Sequence, residues 1–78
     1  MNRIYADVNK RIDPKLKEEY RKYTGFEPED ELVRHYIHLG ARKRGLPIGQ
    51  MLDMPMEELV SAVEKYIRQD LKGISTPY

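Results

Sequence analysis

The chain has 78 residues, no cysteine and a formal net charge of +1, with 35% charged and 40% apolar residues. This length fits one domain and excludes a large enzyme with separate catalytic and regulatory domains. Without cysteine there is no disulfide, thiolate metal site or cysteine nucleophile. The short apolar runs predict neither a secretion signal nor a membrane span, so we expect a cytoplasmic protein that does not bind membranes.

The charges are unevenly distributed along the chain. Residues 1–26 contain seven basic and four acidic side chains, whereas residues 27–38 contain four acidic and one basic. Residues 39–52 are basic again and residues 53–78 are mildly acidic. A polyanion responds to local charge rather than to the total, so the near-neutral sum leaves nucleic-acid binding open.

Residues 3–12 alternate in polarity, which is typical of a β-strand. Apolar residues take even positions and mostly polar residues take odd positions. Lys10 is the exception on the apolar face, where its methylene stem can lie along the surface. The sequence therefore predicts a strand over residues 3–12, with an inner face of Ile4, Ala6, Val8 and Ile12 and an outer face of Arg3, Tyr5, Asp7, Asn9 and Arg11.

Two helices are predicted after the strand. The first covers residues 14–24, because Asp13 can cap it, Pro14 is tolerated in the first turn, and Gly25 can adopt the left-handed ending. The second covers residues 28–44, with acidic residues in its first turn and basic residues in its last, matching the helix dipole. Its apolar stripe comprises Leu32, Val33, Tyr36, Ile37, Gly40 and Ala41.

The remaining residues, 46–78, are predicted to belong to the same domain. A turn-rich connector with apolar side chains should pack on the core. It leads to a C-terminal helix over residues 55–72, whose apolar stripe is Met56, Leu59, Val60, Val63, Ile67 and Leu71. The fold class expected is thus mostly α, with one N-terminal strand.

A lone strand leaves its backbone hydrogen-bonding groups without partners. The simplest partner is the same strand of a second chain, related by a twofold axis. This reasoning predicts an intertwined homodimer with an antiparallel two-stranded ribbon, whose polar outer face fits the DNA major groove.

The order of these elements resembles the ribbon-helix-helix family of prokaryotic and viral DNA-binding proteins. The resemblance covers roughly residues 3–45 and depends on Val8-Asn9-Lys10-Arg11-Ile12-Asp13-Pro14-Lys15-Leu16-Lys17-Glu18-Glu19-Tyr20, on Thr24-Gly25, and on the helix from Pro28 with Leu32, Val33, Tyr36 and Ile37. The additional C-terminal helix is similar to an elaborated form found in archaeal viruses, for which the compartment would be the host cytoplasm.

The resemblance implies a sequence-specific regulator of transcription, such as a repressor, that inserts its paired strands into the major groove of double-stranded DNA. By position, the base-reading residues would be Asp7, Asn9 and Arg11. The flanking or phosphate-contacting candidates are Arg3, Tyr5, Lys10, Lys15, Thr24, Gly25, Arg42 and Lys43. The family holds a phosphate at the start of its second helix, where this chain has Glu27, Glu29, Asp30 and Glu31.

Two other interpretations remain open. One is a protein-interaction dimer, antitoxin-like or a scaffold, whose C-terminal helix docks a partner protein. The other is a helical dimer in which residues 3–12 are not a strand. The sequence has no phosphate-binding loop, nucleophile motif or paired carboxylates beside a histidine, so we expect no enzyme and no cofactor. Glu31, His35 and His38 have a spacing suited to metal ligands, but with no fourth ligand they predict ordinary histidines and no metal.

Overall fold

The computed structural model describes residues 3–75, and these form five helices without a strand. The helices are α1 (Ile4–Arg11), α2 (Pro14–Thr24), α3 (Asp30–Arg44), α4 (Ile48–Leu52) and α5 (Met56–Ser75). The predicted strand over residues 3–12 is therefore wrong, and with it the mixed fold class and the intermolecular ribbon.

The first helix forms because its apolar residues also have a helical spacing. Ile4, Val8 and Ile12 are four residues apart, and Val8 and Ile12 are almost completely buried in the core. Two residues have a burial that a strand does not predict but a helix does: odd-numbered Tyr5 is half-buried, and even-numbered Lys10 is exposed. The helix ends at Ile12, whose ψ of 140° is extended. Asp13 is also outside the α region, with a ψ of 123°. The α conformation is disfavoured for a residue that precedes a proline, here Pro14.

The correction removes the reason for predicting an intertwined dimer. A strand needs a neighbour for its amides and carbonyls, but a helix bonds most of these groups within itself. The Asp7 amide, for example, donates to the Arg3 carbonyl at 2.9 Å. The described backbone thus requires no second chain to complete it.

Capping by Asp13 and Gly25 sets the limits of α2, which match the predicted 14–24. The Asp13 carboxylate accepts from the Lys15 amide at 3.0 Å, and Gly25 ends the helix with a φ of 78°. Gly45 ends α3 in the same way with a φ of 66°. The start of α3 is Asp30 rather than the predicted Pro28, because Glu29 has an extended conformation.

The connector contains the short helix α4, which the sequence did not predict. Its Met51 is fully buried, so the connector packs on the core as expected. The C-terminal helix begins at Met56 and runs to Ser75, slightly longer than the predicted 55–72.

One apolar core joins all five helices. Helix α1 packs on α3 and α5, α2 packs on α5, α3 packs on α5, and α4 packs on α3. Helix α3 runs antiparallel to α1, since Tyr5 lies beside His38 and Asn9 beside Asp30. It also runs antiparallel to α5. The largest fully buried side chains are Ile12, Ile37, Met51, Leu59, Ile67, Val8, Val33 and Val63.

Candidate nucleic-acid interface

The outer face of α1 contains four exposed polar residues at helical spacing. Arg3, Asp7, Lys10 and Arg11 are all exposed, at intervals of four, three and one residues along the chain. No ion pair or side-chain hydrogen bond joins any of them to another residue within 3–75. Their charged groups are therefore available to a ligand, and together they give this face a net charge of +2.

Asp7 and Arg11 were predicted to read bases from a strand, and the helix places them one turn apart on its outer face. Residues four apart on a helix are neighbours. Both side chains point away from α3 and α5, because Val8 and Ile12 face the core. Two of the three predicted base-reading residues are thus on one surface, although not on a ribbon.

Asn9, the third predicted base-reading residue, lies at the contact between α1 and α3. Its amide Nδ2 donates to the Pro28 carbonyl at 3.2 Å and to the Asp30 carboxylate at 3.0 Å. Its Oδ1 is buried and has no hydrogen-bond partner within the described part of the chain. In this arrangement Asn9 ties α1 to the start of α3 and does not present its amide to solvent.

Tyr5 also faces α3. A hydrogen bond of 3.1 Å joins its hydroxyl to His38 Nε2, and the two rings lie 6.2 Å apart. This places Tyr5 on the wall of a groove of about 480 Å³ between α1, α3 and α4 rather than on the outer face of α1. Nothing in the sequence indicates this pairing.

Lys15 lies just beyond the corner between α1 and α2. The neighbouring carboxylates are engaged with backbone amides: Asp13 with the amide of Lys15, and Glu64 with the amide of Asp13 at 2.9 Å. The Lys15 side chain is exposed. It therefore adds a positive charge to the end of α1 where Lys10 and Arg11 lie.

Thr24 and Gly25 lie at the other end of α2, away from this corner. The Thr24 hydroxyl donates to the Tyr20 carbonyl at 2.7 Å and accepts from the Phe26 amide at 3.1 Å. Both residues shape the turn between α2 and α3. The structure does not bring them together with α1.

Arg42 and Lys43 are exposed in the last turn of α3, followed by Arg44. Because α1 and α3 are antiparallel, Arg3 lies at the end of the bundle that has these basic residues. Lys43 Nζ lies 5.2 Å from the centre of the Tyr66 ring, and Arg44 Nη1 lies 3.4 Å from Met54 Sδ. This end also has the acidic first turn of α5, with Glu57 and Glu58.

The C-terminal helix α5 is the surface that the sequence predicts for docking a partner protein. The apolar face of α5 is buried against the rest of the bundle, so a partner protein would have to contact its polar side.

Within the described residues, no group of three or more His, Cys, Asp or Glu side chains could hold a metal ion. No helix in that part of the chain is long and apolar enough to cross a membrane.

Comparisons of the chain with protein-family models, with curated proteins and with solved structures found no match. The candidate site is therefore defined by its own geometry: an exposed, mostly basic face of α1 beside a basic corner, with no ion pair to the other residues that the structure describes.

Proposed function

We propose that the protein binds double-stranded DNA and regulates transcription, with the outer face of α1 as the surface that enters the major groove. The observation that supports this is the exposure of Arg3, Asp7, Lys10 and Arg11 on one helix face, where none of their side chains pairs with another residue of 3–75. An α-helix fits the width of the major groove. This replaces the paired strands as the reading element.

The side chains on this face match the chemistry of base edges. The Arg11 guanidinium can donate two hydrogen bonds to guanine, and the Asp7 carboxylate can accept one from the cytosine amino group. Because a G·C pair presents both groups, Asp7 and Arg11 together favour G·C-containing sites.

Phosphate contacts are assigned to the lysines around this face. Lys10 is on α1, and Lys15 follows at the corner with α2, so the two ammonium groups can contact the DNA backbone beside the groove. Arg42 and Lys43 supply more positive charge at the Arg3 end of the bundle. Contacts of this kind strengthen binding to all sequences alike.

Selection of bound duplexes from a random pool tests the proposal. We expect enrichment of a short motif containing G·C pairs. A twofold-symmetric motif would indicate that two chains bind together, and an asymmetric motif would indicate one. No enrichment would contradict sequence-specific binding.

Matched substitutions then locate the surface. Arg11→Ala should weaken binding to the selected site by about 5- to 150-fold, corresponding to the roughly 1–3 kcal/mol of a bidentate base contact. Binding to scrambled duplex should change much less. Lys15→Ala should weaken both duplexes to a similar extent and reduce the salt dependence of binding by about one phosphate.

The control for Arg11 is Arg68→Ala, which removes an exposed arginine from α5 and thus the same charge from a different face. An equal effect of the two substitutions on the selected site would show that α1 is not the reading helix. Circular dichroism on each variant checks that the fold is retained.

A further inference from the structure

A groove between the end of α2 and the start of α3 combines apolar side chains with an acidic rim. Its volume is about 420 Å³, and it is lined by Tyr20, Phe26 and Leu32, by Glu27, Glu29 and Glu31, and by His35. This surface is separate from the outer face of α1, and the inference drawn from it does not depend on the proposed function.

Phe26 is the most exposed large apolar side chain in the described residues, with 73% of its surface accessible. It is also the only phenylalanine in the sequence. Tyr20 and Leu32, which line the same groove, are only half-buried. Because removing apolar surface from water is favourable, the apolar surface left open here can contribute to binding a partner.

The position of Phe26 is fixed by its turn. Gly25 adopts the left-handed conformation, with a φ of 78°, and the Phe26 amide donates to Thr24 Oγ1 at 3.1 Å. The Thr24 hydroxyl in turn donates to the Tyr20 carbonyl at 2.7 Å. The ring is therefore presented on an ordered turn, which reduces the entropy lost on binding.

The rim of the groove is negatively charged. Glu27 is 3.7 Å from Arg21, but both side chains are well exposed, and such a pair is weak. Glu29 and Glu31 form no ion pair with any residue in 3–75. The positive end of the α3 dipole offsets part of this charge in the first turn, but Glu29 and Glu31 remain exposed, with no ion pair to another described residue.

We infer that this groove docks a basic segment of a partner protein, one in which lysine or arginine side chains flank an apolar side chain. The apolar side chain would pack on Phe26 and Leu32. The cationic groups would meet Glu29 and Glu31, and could also lie over the ring of Phe26, where a cation is attracted to the aromatic face.

Charge distinguishes this occupant from a second copy of the chain. A twofold contact through the groove would place the two acidic rims against each other, and like charges opposed across an interface are unfavourable. Contact with the basic end of α3 in another copy would be head-to-tail, which forms open chains unless the rotation closes a ring. A basic partner has neither difficulty.

Selection from a phage library of random 12-residue peptides, using the intact protein, tests the inference. We expect the wild-type protein to enrich peptides with lysine or arginine next to leucine, isoleucine or an aromatic residue. The Phe26→Ser variant should not enrich them. Equal enrichment by both proteins, enrichment of acidic peptides, or no enrichment would overturn the proposal.

Titration of the best synthetic peptide then separates the groove from general charge attraction. Phe26→Ser should weaken binding at least tenfold, and Glu31→Lys at least fivefold. The matched control is Glu57→Lys, which reverses an exposed glutamate in the first turn of α5, so that the helix-dipole change is the same. It should alter the affinity less than twofold.

Two further results would overturn the inference. One is an equal loss of affinity in Glu31→Lys and Glu57→Lys, which would show that the peptide responds to net charge alone. The other is a concentration-dependent dimer in sedimentation experiments that Phe26→Ser converts to a monomer, which would identify the groove as a contact between copies of this chain.

Discussion

Helices α1 and α5 both pack an apolar stripe into the core, but only α5 can be recognised from its sequence. Helix α5 has 20 residues, and its apolar stripe from Met56 to Leu71 fits a period of 3.6 alone. Helix α1 has eight residues, and Ile4, Val8 and the capping residue Ile12 fit a period of four as well as a period of two. A short apolar pattern therefore does not distinguish a strand from a helix.

Neighbouring positions resolve this ambiguity. In a strand, Tyr5 would face away from Ile4, and Lys10 would face the core with Val8. In a helix, Tyr5 is adjacent to Ile4 on the same side, and Lys10 is on the opposite side from Val8. Tyr5 is half-buried and Lys10 is exposed, as the helix requires. Lys10, the single exception to the alternation, is therefore more informative than the residues that fit both patterns.

The largest effect is expected from shortening a core side chain of α5. Ile67 is fully buried, and its replacement by alanine should lower the free energy of unfolding by about 2–5 kcal/mol. A small domain has only about 5–15 kcal/mol in total, so the variant should lose a substantial part of its stability. Urea denaturation measures this.

The exposed neighbour Arg68 provides the control, since Arg68→Ala should change the free energy of unfolding by less than about 0.5 kcal/mol. Similar values for the two variants would mean that α5 does not form the core.

An intermediate effect is expected when Tyr5 and Lys10 are compared on α1. Tyr5→Ser removes a half-buried ring and its hydrogen bond to His38, which should cost about 2 kcal/mol. Lys10→Ser alters an exposed position and should cost less than about 0.5 kcal/mol. Both are measured by urea denaturation in the same buffer.

A strand over residues 3–12 would reverse this order, because Tyr5 would then be on the polar outer face and Lys10 on the core face. A greater loss in Lys10→Ser than in Tyr5→Ser would therefore contradict the helical assignment of α1.

Much of the helical core could be predicted because it depends on local signals. The limits of α2 follow from Asp13, Pro14 and Gly25, each of which has a conformational preference that a neighbour does not override. The start of α3 was less clear, since acidic residues on both sides of Pro28 fit several starting points. Helix α4 could not be foreseen, because Gly-Leu-Pro-Ile-Gly is typical of a turn and the packing of Ile48, Met51 and Leu52 on the core is a tertiary contact.

The candidate sites depend on tertiary contacts and were harder to predict. Nothing near Asn9 in the sequence indicates that it would bond to Asp30, 21 positions away. The sequence does not single out Phe26, because it lies between a helix end at Gly25 and an expected helix start at Pro28. Phe26 is the only phenylalanine of the chain and stands alone in a short turn. That position is the one feature of the sequence that indicates an exposed side chain.

The smallest effect is expected at the hydroxyl that links α3 to α5. The Tyr36 hydroxyl donates to the Asp70 carboxylate, and burial, followed by this hydrogen bond, raises the pKa of Tyr36 above its ordinary value of 10.0. Because Asp70 is exposed, Tyr36→Phe should cost only about 1 kcal/mol at pH 7. The tyrosine hydrogen bond between α1 and α3 differs, because it joins Tyr5 to His38 rather than to a carboxylate.

The pH dependence gives this link its own signature. Tyr36 keeps its proton in the folded state at a pH where the unfolded chain has lost it, so its stabilising effect is complete below pH 10.0 and declines above it. The wild-type protein should lose up to about 1.4 kcal/mol per pH unit there, a loss that Tyr36→Phe should lack. Asp70→Asn should lessen the alkaline loss without abolishing it, because burial is the larger cause. Parallel stability profiles for wild type and Tyr36→Phe between pH 9 and pH 11 would show that the α3–α5 contact does not bury this hydroxyl.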